Sequence, residues 1–299
     1  METEKIGIVT VLYKSEAVLE DFFRTLNEQS YKYFILYIID NKSPDNSLEK
    51  SKELAKHSWF ETQFIENNDN YGVAKGNNQG IEAALKDNCD YVLLSNNDVV
   101  LQADTIEKLY LGLKEMKATL AVPKIYYYGT NKIWAVGGIW NYLRGGTVHL
   151  GLLEEDCGQW DKSTITSYAP TCFMLIMSSV FDRVGIMDES YFIYYDDTDF
   201  VWRATKEHTE KLVYIHKSKL WHKESISTGG YGSDLCIYYT HRNSIYFVQK
   251  HFSLFHRLIV YGFFIIHYLF RKTITMTASK RAIVYKAYKD AIRMCCALK

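Results

Sequence analysis

The sequence predicts an α/β fold built on a mostly parallel sheet flanked by helices, with a helical appendage at its C-terminus. Three observations carry this expectation. Short apolar, β-rich runs alternate with helical periodicities over residues 6–98; polar residues gather where those runs end; and residues 251–299 change character, first apolar and aromatic, then basic. With 299 residues, 47% of them hydrophobic, the chain can bury a large core, which argues against intrinsic disorder.

Residues 6–13 form an uninterrupted β-rich run, suited to a central strand buried on both faces. Val18, Leu19, Phe22, Phe23 and Leu26 then recur at helical spacing, after Ser15 as a candidate N-cap. A second run, 33–39, stops at the polar turn Asp40-Asn41-Lys42-Ser43-Pro44-Asp45, which feeds a helix around 48–54. Phe64-Ile65 marks a third strand, residues 72–85 a glycine-punctuated loop and helix, and residues 91–94 a fourth strand ending in Ser95-Asn96-Asn97-Asp98. In such sheets ligands bind beyond the carboxyl ends of the strands. Those ends carry Tyr13-Lys14-Ser15, Asp40-Asn41, Asn67 to Asn70 and Asn96-Asn97-Asp98, a clustering read as functional because a purely structural chain has no evident need of it. No GxGxxG follows the first run and no GxxxxGK[ST] occurs, which argues against a dinucleotide dehydrogenase and a P-loop enzyme.

The densest chemistry lies in residues 191–203, where Asp196, Asp197 and Asp199 crowd three carboxylates into four positions. Asp196 can cap a helix that continues through Phe200, Val201 and Ala204, and Asp199 can pair with Arg203 one turn on. Asp197 is left without a structural partner, and a carboxylate in a cleft can accept the proton of a hydroxyl nucleophile. The plainer reading is an acidic helix start. Asp98, at a strand end, and His222, after a short β-like segment, are candidate ligands of a divalent cation; a turn-forming Asp and a structural His are the alternatives.

Further segments share an order. Residues 9–13 look like an opening strand, Asp40 to Ser47 like a DNxSxDxS segment, and Asn70 to Gly80 like NxGxAxGNNxG. Asn96-Asn97-Asp98 stands at a DxD-like position, residues 184–203 look like a GxxDExYFxYxEDxDxxxR block, and Trp221-His222-Lys223 and Arg242-Asn243 like late WHK and RN motifs. Over about residues 6–250 the chain thus resembles glycosyltransferase family 2, with the GT-A fold, in its bacterial rhamnosyltransferase-like branch.

That resemblance implies an inverting transfer of a sugar (rhamnose, galactose, glucose or galactofuranose) from a dTDP- or UDP-sugar to a hydroxyl of a glycan or lipid-linked oligosaccharide. It implies that Asp40 binds the nucleotide base, that Asp98 binds Mg²⁺ or Mn²⁺ and the diphosphate, that His222 binds the same metal, and that Asp197 is the general base. Tyr13, Asn70 and Asn97 are further donor-site candidates. Trp134, Gly137, Gly138 and Trp140 lie in the variable middle, where sugar contact competes with packing of Trp in the core. Lys14 stands where Asn is usual, Thr171-Cys172 replaces a glycine-containing turn, and Asp196 replaces the usual Glu, so either of the adjacent aspartates can serve as base.

The chain divides into a transferase domain, 1–250, and a tail, 251–299. Residues 252–270 are apolar but interrupted by His256, Arg257 and His267, and residues 252–299 carry nine Lys and Arg against the single Asp290, a balance of +8. The tail suits a peripheral helix on an anionic membrane surface, or an arm that packs on the catalytic domain or on a second subunit as a homo-oligomer contact. Nucleic acid is not an expected partner, because the aromatic residues sit apart from the basic ones. Six cysteines without metal-ligand spacing and an N-terminus without an apolar signal segment point to the cytoplasm, at the inner face of a bacterial membrane. Two rival functions are a sugar-nucleotide pyrophosphorylase, which needs an early glycine-rich loop that this sequence lacks, and a non-catalytic glycan-binding relative.

Overall fold

The structure, a computed structural model, describes residues 4–223, 232–274 and 276–296, without the side chains of 271–274. Of the basic tail, Lys299 and the side chains of Arg271 and Lys272 lie outside the described residues. The chain opens β1 (Ile6–Leu12), α1 (Leu19–Asn27), β2 (Phe34–Asp40), α2 (Ser47–Lys56), β3 (Glu61–Glu66), α3 (Gly72–Lys86) and β4 (Tyr91–Ser95). The four strands are parallel in the order β3-β2-β1-β4. β1, β2 and β4 are buried on both faces, as their unbroken apolar runs require. Ser15 does not cap α1: the helix begins at Leu19 with no side-chain cap, and the Ser15 amide donates instead to the Ser47 hydroxyl at 2.8 Å, tying two strand-end loops together.

The second half runs β5 (Val99–Leu101), α4 (Thr105–Glu115), β6 (Leu120–Tyr127), β7 (Ile133–Ala135), the hairpin β8 (Gly138–Asn141) and β9 (Gly146–His149), β10 (Thr164–Ile165), β11 (Phe173–Met177), α5 (Ser179–Val184), α6 (Asp196–Trp202) and β12 (Leu212–His222). β11 inserts antiparallel between β4 and β6, and β12 pairs parallel to β6. The sheet order is β10-β12-β6-β11-β4-β1-β2-β3, with β5 on β12 and β7 on β6. Apolar clusters cover both faces of this sheet, one including Val9, Ile39 and Leu94 with α3, the other Ile8, Leu36 and Leu93 with α1 and α4.

The glycine spacing of α3 is a packing requirement. A methyl group at Gly80 would stand 2.3 Å from Val9 Cγ1, and one at Gly76 would stand 2.8 Å from Val11 Cγ2. The helix therefore lies flush on β1, and Gly72, at φ +84°, turns the chain into it beside the carboxyl ends of the strands.

Three long helices close the chain: α7 (Asp234–His251), α8 (Leu254–Ile274) and α9 (Ala278–Cys296). Phe247 and Val248 of α7 belong to the central core, as does Val260 of α8. α9 packs on α7, burying Val284, Ala287 and Ala291, while the Tyr238 hydroxyl donates to Asp290 at 2.8 Å. α8 differs: Leu254, Phe255, Leu258, Ile265, Ile266, Leu269 and Phe270 are 55–72% exposed. At 100° per residue these fall on one face, with Gly262 near its middle. Among the described residues no helix is long and apolar enough to cross a membrane.

Candidate active site

A cleft of about 590 Å³ opens at the carboxyl ends of β1 and β4, walled by the β8–β9 hairpin and by the loops that precede α3 and α6. Tyr13, Asn70, Asn97, Asp98, Asp197 and His222 all line it. Asp40 does not: it is 5% exposed at the end of β2, its carboxylate accepts the Ser43 amide at 3.2 Å, and its neighbour Asn41 reaches the cleft instead. Burial pushes the Asp40 carboxyl above its ordinary value.

Sheet register brings Asp98 and His222 together. β5 begins directly after Asp98 and runs antiparallel to β12 with Val99 opposite His222, and the Lys223 amide donates to the Asp98 carbonyl at 2.8 Å. His222 Nε2 lies 3.0 Å from Asp98 Oδ1, both residues buried. The imidazole is wedged edge-on against Trp134 at 4.8 Å, and its Nδ1 is buried with no hydrogen-bond partner among the described residues. An oxygen and an imidazole nitrogen side by side suit a divalent cation, although among the described residues no group of three His, Cys, Asp or Glu side chains forms around one.

The aspartate cluster sits at the end of a conformationally strained loop. Phe192, Tyr194 and Tyr195 all have positive φ, 62° to 67°, and such residues cost about 1–3 kcal/mol each unless their surroundings fix them. The fixing groups come from α7. Fully buried Asn243 donates from Nδ2 to the carbonyls of Tyr191, Ile193 and Tyr194 at 3.0, 2.9 and 2.7 Å, and Arg242 donates to those of Ser190 and Tyr191 at 2.8 Å. The Phe192 carbonyl receives the Val73 amide at 2.6 Å, so the loop also rests on the start of α3.

Asp196 and Asp197 both face the cleft. Burial, and then the charge of Asp197, push the Asp196 carboxyl far above its ordinary value. Asp197 accepts the Tyr168 hydroxyl at 2.7 Å and the Thr198 amide at 2.7 Å. Cys172 also lines the cleft, and burial, then the charges of Asp98 and Asp197, push its thiol well above its ordinary value. Asp199 pairs with Arg203 at 2.8 Å as its spacing predicts, and is fully buried. It also accepts from Lys250 and His251, each at 2.7 Å, contacts invisible in local sequence. Against the upward push of burial, the His251 hydrogen bond and the charges of Arg203 and Lys250 hold its carboxyl well below the usual range.

Several strand-end Asn residues do structural work, which corrects their reading as a purely functional cluster. Asn97 donates to the Val11 carbonyl at 2.8 Å, Asn41 to the Gly72 carbonyl at 2.9 Å, Asn67 to Asn41 at 2.9 Å, and the Asn70 side chain accepts the Gly72 amide at 3.0 Å. Adjacent strand-to-helix loops need cross-ties, and a short amide side chain can supply one.

A family model described as "Glycosyl transferase family 2" matches residues 7–183, over half of the chain. The chain belongs to glycosyl transferase family 2. Among curated proteins it is 26% identical over 208 residues to the low-salt glycan biosynthesis hexosyltransferase Agl10 of Haloferax volcanii, covering 68% of this chain and 62% of that one. It is also 26% identical over 206 residues to the dTDP-rhamnosyl transferase RfbF of Shigella flexneri, covering 67% and 62%. The chain thus spans about three fifths of the length of these relatives. Among solved structures, S. aureus TarS 1–349 in complex with UDP-GlcNAc shares the fold at TM-score 0.62 and 13% identity, over 97% of this chain and 81% of that one.

Within this family fold, the mostly parallel sheet, the flanking helices and the C-terminal helical region all match expectation. The two tryptophans divide. Trp134 lines the cleft, whereas Trp140 packs inward against Tyr168, Trp202 and Phe247. His149 and Tyr168 are cleft residues that sequence reasoning missed; neither stands in a segment with a spacing signal.

Proposed function

We propose that the protein is an inverting, metal-dependent hexosyltransferase that moves a sugar from a dTDP- or UDP-sugar to a hydroxyl of a growing, lipid-linked surface glycan. The observation that supports it most is that the Asp98–His222 pair and Asp197 line one cleft at the carboxyl ends of the strands, where α/β sheets bind their ligands. The relatives, a hexosyltransferase and a dTDP-rhamnosyl transferase, agree in reaction class, and the dTDP donor of one and the UDP-GlcNAc bound to the fold neighbour are both nucleotide sugars.

In this reading Asp197 accepts the proton of the acceptor hydroxyl while that oxygen forms a bond to the anomeric carbon. The bond from that carbon to the diphosphate breaks in the same displacement, its electron pair leaving with the phosphate oxygen, and the configuration inverts. Asp98 and His222 would hold Mg²⁺ or Mn²⁺, which supplies neutralisation of the leaving diphosphate. Tyr13, Asn70 and Asn97 face the donor; Asp40, one residue behind Asn41, shapes the base-binding end.

The exposed face of α8 supports a peripheral position on the inner face of the bacterial membrane. Its seven large apolar side chains belong to a segment with nine basic residues and one acid. A second copy meeting it symmetrically would bring like charges together, whereas anionic lipid complements them, each near-surface Lys or Arg contributing about 1 kcal/mol. The experiment for the reaction is a panel of dTDP-rhamnose, UDP-galactose, UDP-glucose and UDP-galactofuranose with wild type and Asp197→Asn, with and without Mn²⁺. Metal-dependent nucleotide release lost in the variant supports the proposal; donor binding without turnover across glycan acceptors would favour a glycan-binding relative.

A further inference from the structure

We infer that Tyr168 is the positioning residue of this site, its hydroxyl fixing the Asp197 carboxylate in the orientation that receives a proton from the cleft. The inference rests on the reading of Asp197 as base.

Asp197 is held at both oxygens, but by contacts of different kinds. Oδ1 accepts the amide and, at 3.2 Å, the hydroxyl of Thr198, the next residue, and these bonds travel with α6 wherever its first turn goes. Oδ2 accepts the Tyr168 hydroxyl at 2.7 Å from a segment 29 residues away, just before β11. That contact ties the carboxylate to a segment bonded to the start of the β8–β9 hairpin.

Tyr168 is built as a fixed point. Its amide donates to the Gly138 carbonyl at 3.1 Å and its own carbonyl accepts the Thr166 hydroxyl at 3.0 Å. The ring is 3% exposed, packed on Trp140 at 5.4 Å and stacked on His149 at 6.1 Å. Gly138 is part of the same seat: a Cβ there would stand 2.7 Å from Tyr168 Cδ1. The glycine singled out in the variable middle of the sequence thus makes room for the ring.

Among the described residues, Asp196, Tyr195, Cys172 and Tyr168 are titratable groups raised by burial and, after it, by the charge of Asp197. The Tyr195 hydroxyl donates elsewhere, to the Gly145 carbonyl, and Tyr168 is the one with a hydrogen bond to Asp197 among the described residues. Burial, and then the neighbouring carboxylate, hold the Tyr168 phenol well above its ordinary value, so it remains a donor throughout the working range. A neutral donor that cannot ionise both steadies the charged base and fixes its direction.

A merely structural tyrosine predicts a change in melting temperature alone. A positioning tyrosine predicts that Tyr168→Phe keeps the ring contacts, leaves donor KM within about twofold, and lowers kcat about tenfold or more. It also predicts that the acid limb of the pH–kcat/KM profile moves to higher pH by about one unit. Profiles that superimpose on wild type, or a loss confined to KM, would overturn the inference. A second measurement is independent of turnover: in protein labelled with ¹³C-aspartate, the carboxyl signal that Asp197→Asn removes should shift or broaden in Tyr168→Phe, and an unchanged signal rejects the role. Wild type that turns over none of the donors defeats the reading of Asp197 as base, while the spectrum still decides whether Tyr168 holds it.

Discussion

His222 Nε2 lies 3.0 Å from Asp98 Oδ1 across 124 residues of chain, brought there by the antiparallel pairing of β5 with β12. If the pair holds a cation, His222→Ala and Asp98→Asn should each weaken Mn²⁺ binding, measured by electron paramagnetic resonance in the presence of UDP, by about tenfold or more. Unchanged affinity in both variants would remove the metal from the account.

Asp199 has four partners in the fold, Arg203, Lys250, His251 and Tyr191, and is fully buried. Replacing it with Asn strands buried positive charge and should cost about 3–5 kcal/mol in urea unfolding at pH 7. Its folded-state value is depressed, so its contribution is present above the ordinary carboxylate value of 3.8 and is lost as pH falls below it. The gap between wild type and Asp199→Asn should therefore shrink in acid; a gap constant from pH 7 to pH 3 contradicts the ion-pair account.

The sign reverses at Asp196. Its folded-state value is raised, so the favourable contribution exists below 3.8 and is lost as pH climbs. Asp196→Asn should match wild type near pH 3.8 and exceed it by about 1 kcal/mol or more at pH 8. A variant less stable than wild type at pH 8 would refute the burial argument.

Asn243 satisfies three carbonyls of the strained loop. Asn243→Ala should speed amide hydrogen exchange selectively in residues 190–197, destabilise the protein by about 1–3 kcal/mol, and reduce kcat more than donor affinity. Exchange that rises evenly over the whole chain would show a general core defect instead.

For α8, introducing acidic side chains on the exposed apolar face is a cleaner probe than deletion, since Val260 and α9 pack into the fold. Leu258→Glu with Ile266→Glu should abolish flotation with phosphatidylglycerol vesicles while the wild type floats, and neither should float with phosphatidylcholine alone. Equal flotation of both proteins, or a wild-type dimer by light scattering that the substitutions dissociate, assigns the face to something other than lipid.

The parallel half of the fold was legible because β1, β2 and β4 are apolar throughout and α1 carries a clear stripe. The antiparallel half was not. β7 to β10 have two to four residues each, too few for any period to show, and β11 is an apolar run that sequence alone cannot orient. At the cleft, Asp98 stands out at a strand end, Asp197 as the clustered carboxylate without a partner in the sequence and His222 after a β-like segment. Motif order adds to each, and the Asp199–Arg203 pair shows in helical spacing. Tyr168, Asn243, Lys250 and His251 act across 29 to 52 residues, and local pattern holds no trace of such distances.

α7 touches both ends of the molecule's chemistry. One side clamps the loop that presents the aspartates, its last turn grips Asp199, and its far side carries α9 through the Tyr238–Asp290 bond. Such a helix can act as a lever: a displacement of the C-terminal arm is expected to shift the loop that carries Asp196 and Asp197. Detergent, crowding or a lipid surface acting on the arm should then register as altered turnover even with small soluble acceptors.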